Sequence, residues 1–176
     1  ICFELYKINK NIIVIDNFST SKESVKETIS KVCPNIEFYS FNIGDKILLT
    51  NVFSKYNITN VIHLASYKSI SDSINYPIEY YKNNISETIS LLEVMKLHKC
   101  TNMVFSSSAT VYGHQDQVPI KETAVTYNKQ TSPYGKSKLI IEMMLEDLCH
   151  EKSNWNIVIL RYFNPVAADT SGLIGE

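Results

Sequence analysis

The sequence predicts an α/β fold, a doubly wound parallel sheet. Two observations carry that reading. Short runs rich in β-branched and aromatic residues (Ile12–Ile15, Ile36–Ser40, Val61–Ala65, Asn102–Phe105, Trp155–Leu160) alternate with segments of helical periodicity from Ile12 to Leu160. The first run, Ile12-Ile13-Val14-Ile15, is β-branched throughout, the pattern of a parallel strand covered on both faces.

Ile1 to Asn9 spaces its apolar residues (Ile1, Leu5, Ile8) as the tail of a helix does. The strand at Ile12–Ile15 ends on Asp16-Asn17. In a dinucleotide-binding sheet an acid here accepts from the adenosine ribose hydroxyls and repels a 2′-phosphate; Asp-Asn after a strand also makes a turn or an N-cap, and position alone leaves both open. If Asp16 closes a second strand, the first strand and its glycine-rich turn are expected ahead of Ile1. The chain holds 5 glycines (Gly44, Gly113, Gly135, Gly172, Gly175), none in a G-x-G-x-x-G pattern. A piece of a longer protein, opening inside its first helix, is the expectation over a protein that has lost the loop.

Ser21–Lys31 is a polar helix pattern, Ile36–Ser40 a strand, and Asp45–Tyr56 a helix with Ile47, Leu48, Val52 and Phe53 as its apolar residues. In the strand Val61–Ala65, His63 reads as a satisfied core residue. Leu64, Ala65 and Ser66 close this strand, and the small pair lets a cofactor approach backbone at the carboxyl edge of the sheet. Pro77, suited to a first turn, opens the longest helix pattern, with Ile78, Tyr81, Ile85, Ile89, Leu92 and Met95 as its core face and Asn83-Asn84 interrupting it. Asn102–Phe105 delivers Ser106-Ser107-Ser108, which could also be a turn. A polar surface loop runs from His114 to Gln130. Lys136–Cys149 is a helix packing Leu139, Ile140, Met143, Met144 and Leu148, and Trp155–Leu160 is the last strand.

The composition excludes several classes of function. A chain of 176 residues with 44% hydrophobic and 20% charged residues and net charge −1 is an ordinary single domain with no basic field for nucleic acid. No apolar run approaches the ~18 residues of a membrane span, and the first residues lack the features of a signal peptide. The cysteines Cys2, Cys33, Cys100 and Cys149 have neither zinc-site nor disulfide spacing, so reduced thiols and a cytoplasmic location are expected. Three glycosylation sequons, at Asn17, Asn57 and Asn84, read as accidents of an Asn-rich chain.

The chemistry concentrates in Thr131–Lys138 (TSPYGKSK) and Ser106–Gly113 (SSSATVYG). Tyr134 and Lys138 are one helical turn apart and share a face. A phenol is a poor base near neutrality; an adjacent ammonium favours its phenolate, and a hydroxyl such as that of Ser108 can orient the reacting oxygen. The spacing alone is weak: with 11 tyrosines in 176 residues about one Tyr-x-x-x-Lys arises by chance, and Tyr6/Lys10 is another.

These blocks, followed by Leu160-Arg161-Tyr162-Phe163-Asn164-Pro165, resemble the UDP-glucose 4-epimerases of the extended short-chain dehydrogenase/reductase family, over nearly the whole chain. The resemblance implies a Rossmann-like, NAD-binding domain over residues 1–176 lacking its first strand and glycine turn, with a substrate lobe starting at about 164–176. It implies Ser108, Tyr134 and Lys138 as catalytic residues; Asp16, Asn17, Asn42, Ile43, Leu64, Ala65, Ser66, Lys68, Asn84, Tyr134, Lys138, Tyr162 and Phe163 around NAD; and Ser108, Tyr134 and Asn164 on the UDP-sugar. It favours NAD over NADP through Asp16. Asn42 stands where the family has the aspartate of an Asp-Ile pair that holds adenine; a plain strand-end Asn is the competing reading, as a solvated lysine is for Lys68. The activity implied is interconversion of UDP-galactose and UDP-glucose, in a protein that forms a homodimer through helices including Ile78–Met95 and Lys136–Leu148, with no metal. Ala109-Thr110 stands where related dehydratases carry Asp-Glu, which disfavours dehydration. The alternatives are another nucleotide-sugar epimerase, dehydratase or decarboxylase of the family, and an inactive scaffold. The 176-residue chain alone is expected to bind NAD poorly and not to turn over.

Overall fold

The computed structural model describes residues 1–127, 129–150, 154–166 and 172. Strands and helices alternate: α1 (Cys2–Lys7), β1 (Ile13–Ile15), α2 (Ser24–Val32), β2 (Glu37–Tyr39), α3 (Lys46–Lys55), β3 (Asn60–His63), α4 (Ile70–Asn75), α5 (Pro77–Tyr81), α6 (Glu87–Leu97), β4 (Asn102–Ser108), α7 (Pro133–Leu148) and β5 (Asn156–Tyr162). Every strand pair is parallel. β1 pairs with β2 in one sheet, and β3, β4 and β5 lie in that order in a second. The parallel α/β fold class is therefore as the sequence predicts.

Registers such as His63↔Phe105 and Phe105↔Ile159 align side chains across the three-stranded sheet. Residues alternate between its faces. One face carries Met103 and Phe105 into a core with Leu49 and Phe53 of α3, Leu91, Leu92, Val94 and Met95 of α6, and Ile141 and Leu145 of α7. Ile15, Phe41 and Ile43 bring the two-stranded sheet against the same core. The opposite face shows Ile62, Val158, Leu160 and Tyr162, all exposed.

Several departures from the sequence reading have physical causes. In α3 Leu49 shares the buried face with Val52 and Phe53, three and four residues on, while Ile47 and Leu48 are exposed. The pattern from Pro77 to Met95 is not one helix: a π-turn at Lys82–Ser86 separates α5 from α6, at the Asn83-Asn84 interruption. The extra residue rotates the buried face. Tyr80, Asn84, Thr88, Leu91 and Met95 are buried, whereas Ile78 and Ile89 are exposed. In α7 the buried face is Lys138, Ile141, Glu142 and Leu145. Ile140 and Met143 are exposed, while Met144 and Leu148 pack on the core as expected. Finally, the strand expected to end at Phe105 runs on through Ser106, Ser107 and Ser108, so the competing turn reading of the serines drops out. They continue β4, paired with Leu160, Arg161 and Tyr162 of β5.

Among the described residues no helix is long and apolar enough to cross a membrane, and no cluster of His, Cys, Asp and Glu could hold a metal ion. All 4 cysteines are free.

Candidate functional site

The carboxyl ends of β3, β4 and β5 and the first turns of α7 meet at one place. Ser132 caps α7 by accepting from the Gly135 N–H at 3.2 Å, with Pro133 in the first turn. Gly135 allows a close approach: a Cβ would lie 3.0 Å from the Thr110 carbonyl oxygen. That close approach seats α7 on the 3₁₀ turn Ala109–Tyr112. Ser108 caps the turn, its Oγ accepting from the Thr110 N–H at 3.2 Å and the Thr110 hydroxyl at 3.0 Å. Ser108 and Tyr134 thus stand on two segments packed directly together.

One helical turn beyond Tyr134, Lys138 is 3% exposed. Its Nζ donates to the Ser106 carbonyl at 2.7 Å and lies 4.9 Å from the Phe105 ring centre and 5.9 Å from that of Tyr134. Burial lowers the Lys138 pKa to about 8, partly offset by Glu142. Only one of its three donors is spent among the described residues, which leaves two for a phenolate or a ribose. The arrangement can hold a tyrosine oxygen as a base beside a hydroxyl donor, at the edge where doubly wound sheets bind ligands.

The remaining candidates fall into groups. Tyr162 is the register partner of Ser108 on β5, and Phe163 stacks on Tyr112 with ring centres 6.4 Å apart. Leu64 and Ala65 are exposed and Ser66 half-buried at the end of β3, and Asn164 is exposed. Asn84 is 1% exposed and fully used within the protein. Its Oδ1 accepts from the Tyr67 N–H (2.8 Å) and from Asn83 (3.0 Å), while Nδ2 donates to the Tyr67 carbonyl (3.1 Å) and to Ser137 (3.0 Å). It braces the loop after β3 against α7; lining a cofactor directly is not a role that these bonds display. Lys68 is exposed and makes no hydrogen bond among the described residues.

Asp16, Asn17, Asn42 and Ile43 belong to the two-stranded sheet. No hydrogen bond among the described residues joins them to the group around Tyr134. Asp16 accepts from the Phe18 N–H at 2.7 Å and Asn17 from the Ser19 N–H at 3.0 Å, so both shape the turn after β1. One Asp16 oxygen is left over for a ligand. Asn42 accepts from the Gly44 N–H at 2.7 Å and donates to Glu87 at 2.8 Å. Of the expected start of a substrate lobe at about 164–176, residues 167–171 and 173–176 lie outside the described residues.

Sequence reasoning missed a buried polar cluster behind the serines. Glu142, 1% exposed, accepts from the Ser107 hydroxyl and from Arg161 through Nε (3.1 Å to each oxygen) and Nη2 (2.7 Å). Arg161 also donates to the Tyr112 hydroxyl and the Glu122 carbonyl, both at 3.1 Å. The cluster ties β4, α7 and β5 together beneath Ser108 and Lys138. Glu142 was findable: it stands four residues after Lys138, between Ile141 and Leu145, where only a paired charge is tolerated. His63 is buried as expected, its Nε2 2.9 Å from Thr88 Oγ1; burial, then the nearby Lys138, lower its pKa to about 3.

The family model for the NAD dependent epimerase/dehydratase family matches residues 1–173, and the chain belongs to that family. Within it, the chain is 43% identical over 176 residues to a UDP-glucose 4-epimerase of Yersinia pestis, covering 99% of this chain and 52% of that protein. It is 44% identical over 171 residues to the human UDP-glucose 4-epimerase, covering 93% and 49%. Among solved structures, UDP-glucose 4-epimerase from Bifidobacterium longum in complex with NAD+ and UDP superposes with a TM-score of 0.95 at 41% identity, over 99% of this chain and 52% of that one. The chain spans about half the length of the relatives it matches.

Proposed function

We propose that the intact protein carrying this chain interconverts UDP-galactose and UDP-glucose, using a retained NAD. The observation that carries this is the buried Lys138 ammonium beside Tyr134, on the carboxyl edge that presents Ser108. The similarity to epimerases, one of them solved with NAD+ and UDP, supports the substrate and cofactor. The residues present fit a dinucleotide: a free Asp16 oxygen for a ribose, an open strand end at Leu64–Ser66, and two unspent Lys138 donors. Asn17 shapes the same turn; Asn42 and Ile43 would hold the base, and Lys68, Tyr162 and Phe163 the nicotinamide half. Asn84 fixes the loop that carries Lys68.

When bound, NAD supplies a reversible hydride acceptor at C4′ of the sugar. Tyr134, with the Lys138 ammonium beside its ring, takes the proton of the 4′-hydroxyl and later returns it. Ser108 donates to the same oxygen and keeps it within reach of the tyrosine. Its Oγ already accepts from Thr110, so its own proton is free to point toward substrate. Asn164 reaches the diphosphate of the UDP-sugar. A substrate lobe beginning near residue 164 grips uridine and sugar.

The exposed Ile78, Ile89, Ile140 and Met143 on α5, α6 and α7 support a homodimer through these helices. The 4 free cysteines support a cytoplasmic setting. Heat-denaturing the freshly purified intact protein should release about one NAD per chain. A protein that carries no NAD, and takes none up, refutes the proposal.

A further inference from the structure

The turn after β2 holds a short polar relay in which Asn42 is joined by Gly44 and Glu87, two residues to which the proposed function gives no role. Asn42 Nδ2 donates to Glu87 Oε1 at 2.8 Å, and the Gly44 N–H donates to Asn42 Oδ1 at 2.7 Å. The relay is tight: a Cβ on Gly44 would lie 3.1 Å from both Asn42 Oδ1 and Glu87 Cγ. An amide can ordinarily turn over and exchange oxygen for nitrogen. Here it cannot. An ionised carboxylate only accepts and a backbone N–H only donates, so the reversed amide would face like against like on both sides. Asn42 therefore keeps its oxygen on the Gly44 side of the loop with one lone pair unspent. Glu87 is half-buried at the start of α6, three residues after the bracing Asn84, so the relay is anchored to the helix that also holds the loop after β3.

We infer that Glu87 is a positioning residue that fixes the Asn42 amide as an acceptor, and so makes the nucleotide site select a purine bearing a 6-amino group over one bearing a 6-oxo group. The inference rests on the proposed function, which puts the cofactor's base over Asn42-Ile43. The negative charge that the family's aspartate would place at 42 stands in this chain on Glu87, one hydrogen bond away. Asn42 presents the oxygen and Glu87 supplies the reason that it is the oxygen. A 6-amino group donates to that lone pair; a 6-oxo group meets it acceptor to acceptor.

The test is calorimetric titration of the intact protein, stripped of cofactor, with NAD and with nicotinamide hypoxanthine dinucleotide. The wild type should prefer NAD by about tenfold, the scale of one hydrogen bond exchanged for an unpaired acceptor. E87Q and E87A should each cut that ratio to about threefold or less, because the amide is no longer held. N42D alone should weaken both dinucleotides by crowding two carboxylates, and N42D/E87Q should bring the preference back. A purely structural role would lower both affinities and the melting temperature together with the ratio unchanged, and that result overturns the inference. So does a wild type that binds both dinucleotides equally. A wild type that binds neither refutes the proposed function itself.

Discussion

The buried Glu142–Arg161 pair makes the sharpest stability prediction. Truncating Arg161 to alanine removes three of the four contacts to a carboxylate that is 1% exposed, leaving the Ser107 hydroxyl. Breaking a buried pair by removing one partner costs about 3–5 kcal/mol. The Arg161 side chain is itself 23% exposed, so water can enter once it is gone, which favours the lower half of that range. Loss of its seat over the Tyr112 ring, 4.9 Å from Cζ to the ring centre, adds about 0.5–1 kcal/mol. We expect a total of about 3.5–5 kcal/mol for R161A. E142Q should cost less, about 1–3 kcal/mol, because the guanidinium it abandons keeps Tyr112, the Glu122 carbonyl and solvent. The assay is urea unfolding of the intact protein with NAD removed, since bound cofactor would add its own stabilisation. An R161A penalty under about 1 kcal/mol, or a penalty for E142Q larger than that for R161A, refutes the reasoning.

Three further expectations follow from individual residues. Tyr134→Phe should lower kcat by about 10²–10⁴-fold with NAD still bound, the range for loss of a general base; a change in NAD content but not in kcat would contradict it. His63 has a folded-state pKa of about 3 against about 6.5 when unfolded, so its stabilisation is complete above pH ~6.5 and is lost as pH falls toward 3. His63→Gln should flatten the urea midpoint in that window relative to wild type, and parallel curves would count against the assignment. Gly113 has φ +56°, and a Cβ there would stand 1.7 Å from the Lys129 carbonyl oxygen. Gly113→Ala should therefore destabilise by roughly 2 kcal/mol or more in the same unfolding assay.

The order of strands and helices was legible because each element has a period that its burial demands. β-branched runs became parallel strands, and His63 sat in the core as its apolar neighbours implied. What was not legible arose from contacts between distant segments. A π-turn at Asn83-Asn84 shifted the helix face by one residue, so Ile78 and Ile89, apolar and correctly spaced, ended outside. The fourth helix, Ile70–Asn75, went unread because six residues are too few to show a period. Tyr134, Lys138 and Ser108 could be singled out because each sits in a short motif, and the structure packs the two segments that carry them together. A buried Glu142 could be suspected from its apolar neighbours, but its pairing with Arg161 and Ser107 could not, because three elements must fold before their charges and hydroxyl meet. Glu87 was hidden for the same reason: it lies 45 residues from Asn42.

The measurement closest to the central claim follows the hydrogen at C4′. UDP-galactose deuterated at that carbon, incubated in ordinary water with the intact protein and its retained NAD, should give UDP-glucose with the deuterium still on C4′. In the proposed reaction a hydride that leaves and returns through the bound cofactor would never meet solvent, whereas Tyr134 would exchange only the hydroxyl proton. Complete washout of the label would contradict hydride return, and absence of any UDP-glucose would contradict the proposed activity.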